Sequence, residues 1–270
     1  MSLRMPMNQQ SHNRTQQPAR PGQHSPFRCS LTVAIALVLS VSNSLAASDS
    51  EVRVIGQMRR MFTAHDIGPN VELGRLLKQG RHVYALGPAA GLTGEVTIIA
   101  SQVFTSKVEG KTQTVAVDPS VKAVFLVYAS VPAWRSLTLP TNIVSEVDLA
   151  IFLAQSLPAN TRSAFLVRGK AIRAQYHVQN YQGKAEELTH EAHDKSKVLF
   201  ELSDRPVQLI GFFTNREEDA GSFVHQGQTT HIHLLSEDHK AMGHLESITL
   251  APGARLLLPE NPRSNSPPNF

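Results

Sequence analysis

The chain has 270 residues, with 26 Lys and Arg against 22 Asp and Glu, a formal charge of +4. The excess is local: Arg4, Arg14, Arg20 and Arg28 all precede the first acidic residue, Asp49, and removing these 4 from 26 leaves 22 against 22. The remainder therefore lacks the basic surplus that binds phosphate backbones, and with Cys29 as its single cysteine the chain has no disulfide framework.

The first element in chain order is a leader. An apolar run from Leu31 to Val41 follows Arg28, and Ser44-Leu-Ala-Ala47 supplies small residues for cleavage, which predicts a secretory signal over residues 1–47. The run is shorter than the roughly 20 residues of a membrane span. Export to the periplasm or medium is the expectation, and the exported product then carries no cysteine. Residues 48–178 read as an N-terminal subdomain, 179–258 as a C-terminal one, and 259–270 as a disordered tail rich in Pro, Asn and Ser.

A short helix is expected over Glu72–Gly80, closed by its glycine. Runs rich in β-branched and aromatic residues predict strands at His82–Leu86, Glu95–Val103, Thr114–Val117 and Lys122–Tyr128. Ser145 and Asp148 form a capping-box start for a helix in which Val147, Ile151 and Ala154 recur at helical spacing, with Pro158 after its end. Ala164–Val167 and Ala171–Val178 read as two strands turned through Gly169. The charged segment 179–205 reads as weakly helical or irregular. Strands follow at Val207–Thr214, around His231, at Leu245–Leu250 and at Arg255–Leu258. Many short strands with few helices predict an α+β fold with mostly antiparallel or mixed sheets. Each half carries a helix with strands, which leaves room for two related subdomains.

Chemistry concentrates near the C-terminus. Side chains alternate along a strand, so His231 and His233 share a face while Ile232 takes the other. A turn centred near Asp238 and His239 returns the chain so that His244 faces His233 across the ladder. Three imidazoles with an open fourth position are the donor set of a catalytic zinc or a related divalent first-row metal. A polar strand whose histidines merely hydrogen-bond is the alternative. The sequence has no Gly-x-Ser-x-Gly elbow, phosphate loop, dinucleotide fingerprint or Cys-x-x-Cys.

Thr230-His-Ile-His-Leu-Leu-Ser-Glu-Asp-His-Lys-Ala-Met-Gly-His-Leu245 resembles the metal-binding signature of the α-acetolactate decarboxylases. Gly91-Leu-Thr-Gly-Glu-Val-Thr-Ile-Ile99 resembles that family's Gly-Leu-Asp-Gly-Glu strand, and Gly211-Phe212 a pair ahead of its histidine strand. The likeness runs discontinuously from about Leu73 to Pro259. It implies an acetolactate decarboxylase-like fold, a zinc at His231, His233 and His244, and decarboxylation of a 2-hydroxy-3-keto acid to acetoin. It also implies that Glu95 is the active-site glutamate that handles a proton or orients the substrate hydroxyl. The expected partner is a small-molecule substrate, with no nucleic acid, no membrane once the leader is cleaved, and a homodimer as the assembly considered.

Departures accompany the likeness. The family carries an arginine suited to gripping a substrate carboxylate where this chain, aligned through Gly169, has His177. Arg173 lies four residues earlier on the same strand. A family threonine ahead of Glu95 falls on Pro88, and the late family glutamate has no counterpart after Glu260. Two rivals to the decarboxylase therefore stand: a paralogue with the same fold and metal but another small molecule, and a non-enzymatic structural or interaction protein. Trp134 reads as a core or loop anchor, His190, His193 and His239 as solvated histidines, and Glu246 as a possible neighbour of the metal on the His244 side.

Overall fold

The computed structural model describes residues 50–260; the expected leader lies outside them, as does the expected tail apart from Pro259, which ends a strand, and Glu260. The first part of the chain runs β1 (Arg53–Ile55), α1 (Arg60–Thr63), β2 (Val71–Glu72), α2 (Leu73–Gln79), β3 (Val83–Pro88), β4 (Glu95–Ile99) and β5 (Gln102–Glu109). Next come β6 (Thr112–Val117), β7 (Lys122–Ala123), β8 (Leu126–Ser130), β9 (Trp134–Thr138) and α3 (Glu146–Ser156). The chain continues through β10 (Arg162–Gln179), α4 (His190–Lys195), β11 (Lys197–Thr214), β12 (Thr230–Ser236), β13 (Met242–Leu250) and β14 (Arg255–Pro259). Among the described residues no helix is long and apolar enough to cross a membrane.

Two six-stranded sheets carry the fold, one ordered β1-β8-β3-β4-β5-β6 and the other β11-β12-β13-β10-β14-β9. Their ladders are antiparallel, as the sequence pattern predicts. In the second sheet β10 also pairs with β11, so the ladders β10–β11, β11–β12, β12–β13 and β13–β10 close a ring. Strand alternation then sorts the core. Leu86 and Val127 from the first sheet meet Leu166, Ile210, Phe212, Leu235 and Met242 from the second. The opposite face of the second sheet, with Phe165, Val167, Leu209, Ile232 and Leu234, packs on α3 through Leu149 and Leu153. The outer face of the first sheet packs Val96 and Ile98 with Leu73 and Leu76 of α2.

Local chemistry explains where the elements begin and where the sequence-based expectations need correction. Helix α3 starts with the expected capping box: the Asp148 backbone N–H donates to Ser145 Oγ at 3.1 Å, and the Ser145 N–H donates to the Asp148 carboxylate at 3.0 Å. Its buried stripe is Leu149 and Leu153, whereas Val147 and Ile151 are exposed. The run Glu95–Val103 is a hairpin rather than one strand, turned at Ala100 and Ser101 with φ of 49° and 69°. Positive φ suits a tight hairpin turn, but neither residue announces it as glycine would. Gly169 is no turn: β10 continues through it, and a Cβ there would meet Ala254 Cβ at 2.8 Å, so glycine admits the turn before β14. Residues 197–206 extend β11 by pairing with β10, with Val198, Phe200 and Leu202 partly buried while Leu199, Glu201 and Ser203 are exposed.

The loop between β11 and β12 is pinned by Asp219. Its carboxylate is buried and accepts from Arg162 Nε at 2.7 Å and from Thr214 Oγ1 at 2.6 Å. Asp219→Ala leaves both donors unpaired and is expected to cost roughly 3 kcal/mol in a denaturant melt. A loss below about 1 kcal/mol would mean that other contacts hold the loop.

Candidate metal centre

The histidines of β12 point between the sheets because Ile232 and Leu234 take the face toward α3. His233 pairs with His244 across the β12–β13 ladder, as expected from a turn near Asp238 and His239. That turn is held by Ser236 Oγ, which accepts from the Ala241 N–H at 2.9 Å and donates to the Asp238 carboxylate at 2.7 Å. One ligand atom from each of His231, His233 and His244 lies within 4.8 Å of the others.

Hydrogen bonds orient two of the three rings. His231 Nδ1 lies 2.8 Å from the Phe223 carbonyl, which only accepts, so Nδ1 carries the proton and Nε2 keeps its lone pair. His233 Nδ1 lies 2.9 Å from Thr97 Oγ1 of the facing sheet, while its buried Nε2 has no hydrogen-bond partner. A buried nitrogen without a partner, beside two further imidazoles, fits a metal ion as its missing neighbour. Burial, with neighbouring imidazoles, pushes His231 down to about 3 and holds His233 and His244 well below the usual histidine range. All three are therefore neutral, the form that ligates metal.

Glu95 approaches from the first sheet. Gly94, with φ of 148°, allows this, since a Cβ there would meet the Ser106 carbonyl oxygen at 2.3 Å. Glu95 Oε1 accepts from the Gln179 N–H at 3.2 Å, and Oε2 stands 3.7 Å from His233 Nε2. Burial pushes its carboxyl up to about 8.

His177 stacks on His244 with ring centroids 4.8 Å apart, and its Nε2 is 4.0 Å from Glu95. Its Nδ1 is 2.6 Å from Glu246. The register jumps from Tyr176↔Leu245 to Gln175↔Ser247, making Glu246 the extra residue of a bulge that aims it at His177. Burial lowers the His177 pKa despite this partner, and the His177 hydrogen bond lowers that of Glu246. Glu246 thus braces His177 rather than joining the three-histidine group.

Glu95, His177, His231 and His244 line one cavity, together with His193, Lys197 and His225. None of those three has a spacing that singles it out in the sequence. His193 was expected to be solvated, but its side chain is 13% exposed and faces the cavity. His190 and His239 are exposed and lie against Phe62 and Phe104. Arg173 is exposed and bound to Glu201 at 2.9 Å, outside the cavity.

Gly243 sets the approach of β13 to β10, because a Cβ there would meet the His177 carbonyl oxygen at 2.3 Å. Gly243→Ala is expected to displace His244 and weaken metal binding by about tenfold or more, measured by chelator competition. Unchanged affinity would show that the ladder absorbs the methyl group.

Fold and site together define an α+β protein of two facing antiparallel sheets with a three-histidine centre able to hold a metal. The family model for alpha-acetolactate decarboxylase matches residues 63–256, and the chain belongs to that family. Among solved structures, the alpha-acetolactate decarboxylase of Bacillus subtilis strain 168 superposes with a TM-score of 0.63 at 16% identity, covering 78% of this chain and 86% of that one. A Staphylococcus aureus protein of unknown function, described as similar to alpha-acetolactate decarboxylase, gives the same TM-score of 0.63, 16% identity and coverage of 78% and 86%. The acetolactate decarboxylase of Bacillus subtilis subspecies spizizenii gives 0.62 at 16% identity, covering 78% and 87%. These likenesses establish the fold. No curated protein matches the chain.

Proposed function

We propose that the protein is a zinc-dependent decarboxylase of a 2-hydroxy-3-keto acid such as acetolactate, releasing carbon dioxide and giving acetoin. The observation that carries this reading is the group of three imidazoles with the Glu95 carboxyl 3.7 Å from His233 Nε2. Zinc, when bound there, supplies Lewis-acid polarisation of substrate oxygens and so eases the charge left when carbon dioxide departs. Glu95, steadied by the Gln179 N–H, handles the proton that replaces the lost carboxylate. His177 gives its Nδ1–H to Glu246 and keeps an Nε2 lone pair that accepts from the substrate hydroxyl. Export follows from the leader in this proposal; N-terminal sequencing of the mature protein tests it, and a retained Met1 would contradict it.

The test of the reaction incubates metal-loaded protein with racemic acetolactate. Acetoin should form well above the spontaneous background; none at full metal occupancy would overturn the reading. A paralogue acting on a different small molecule is the second reading. It draws support from His177 itself, a neutral ring tied to Glu246 where the family resemblance calls for an arginine.

A further inference from the structure

The cavity beside the three histidines is poor in positive charge. Lys197 is the one lysine or arginine among its lining residues. Lys197 opens β11 in register with Gln179, the last residue of β10, which places it beside the strand end that carries His177. Its side chain is 24% exposed, neither free in solvent nor sealed away. The same residue borders a groove along α3 that also reaches His225, His244 and Glu246. It therefore stands where the two cavities meet.

We propose that Lys197 binds the carboxylate of the substrate in this cavity. Nζ is 3.0 Å from Asp194 and 3.8 Å from Glu246. An ammonium group has three N–H donors; Asp194 takes one and Glu246 lies beyond hydrogen-bond reach, leaving donors for an incoming anion. Asp194 is 67% exposed, so water weakens its hold on the lysine. Position 177 supplies no arginine, and Arg173 is engaged by Glu201 outside. The positive charge thus comes from the neighbouring strand of the same ladder.

The inference rests on the proposed function for the nature of the ligand, a small 2-hydroxy acid. Calorimetry on the full-length zinc-loaded protein, with metal content measured in every variant, separates the two. The probes are 2,3-dihydroxy-2-methylbutanoate, which has no keto group to drive decarboxylation, and acetoin, which has no carboxylate. Lys197→Met should weaken the acid by about 10- to 100-fold and leave acetoin within about twofold, while Lys197→Arg should restore the acid. Equal losses for both probes, no loss for either, or no binding of the acid to the wild type would overturn the assignment. Lys197-dependent binding of the acid without acetoin formation from acetolactate would sink the decarboxylase reading and leave the assignment standing. Acetoin formation with an unchanged Kd in Lys197→Met would do the reverse.

Discussion

His233→Gln should leave the purified protein without stoichiometric metal and without decarboxylase activity. The argument is positional. His233 is fully buried, its Nδ1 is engaged by Thr97, and its Nε2 has no other partner. Removing an outer partner of a metal ligand typically costs about 10- to 100-fold in affinity, so Thr97→Val should fall in that range and His233→Gln beyond it. Metal analysis and chelator competition give the ranking. Full metal content in His233→Gln would remove this residue from the ligand set, and an unchanged affinity in Thr97→Val would mean that packing alone orients the ring. Glutamine keeps much of the side-chain volume, so the fold should survive, with circular dichroism as the check.

Glu95→Gln should lower kcat by about 10²- to 10⁴-fold while metal content stays at the wild-type level, the usual range for loss of a general acid or base. The glutamine oxygen can still accept from the Gln179 N–H, so the substitution tests proton handling rather than local structure. A kcat within about fivefold of wild type would exclude Glu95 from the chemistry. Loss of metal together with kcat would make Glu95 a ligand instead, a role its 3.7 Å approach to His233 Nε2 keeps within reach.

The sequence contained the centre but little of what surrounds it. Period-two alternation in Thr230–Ser236 and a polar stretch ending in Gly243 were enough to set His233 against His244, because strand register follows from side-chain alternation and turn position. The same logic failed for α3, where the evenly spaced Val147 and Ile151 are exposed and Leu149 and Leu153 are buried. A short helix with apolar residues on several sides does not declare which stripe the sheet will cover. Gly169 looked like a turn because glycine serves equally well as a turn residue and as a gap for a neighbouring backbone. His193, Lys197 and His225 come from a short helix, a strand start and a loop, and only tertiary packing brings them to one cavity. The Glu246 bulge was invisible for a related reason: a single extra residue leaves no signature until the partner strand is known.

The ring closed by β10 to β13 bears on how the centre would take up an ion. In small zinc domains the ion gathers its ligands and its binding free energy is folding free energy. Here backbone ladders already hold the strands that carry His231, His233 and His244, and Thr97 and Phe223 orient two of the rings. An ion loaded there would enter a finished socket, and a chelator is expected to strip it without a melting transition. Such a socket would not choose its occupant by folding around it, so the ion it took would depend on which divalent metals compete for it at the moment of loading.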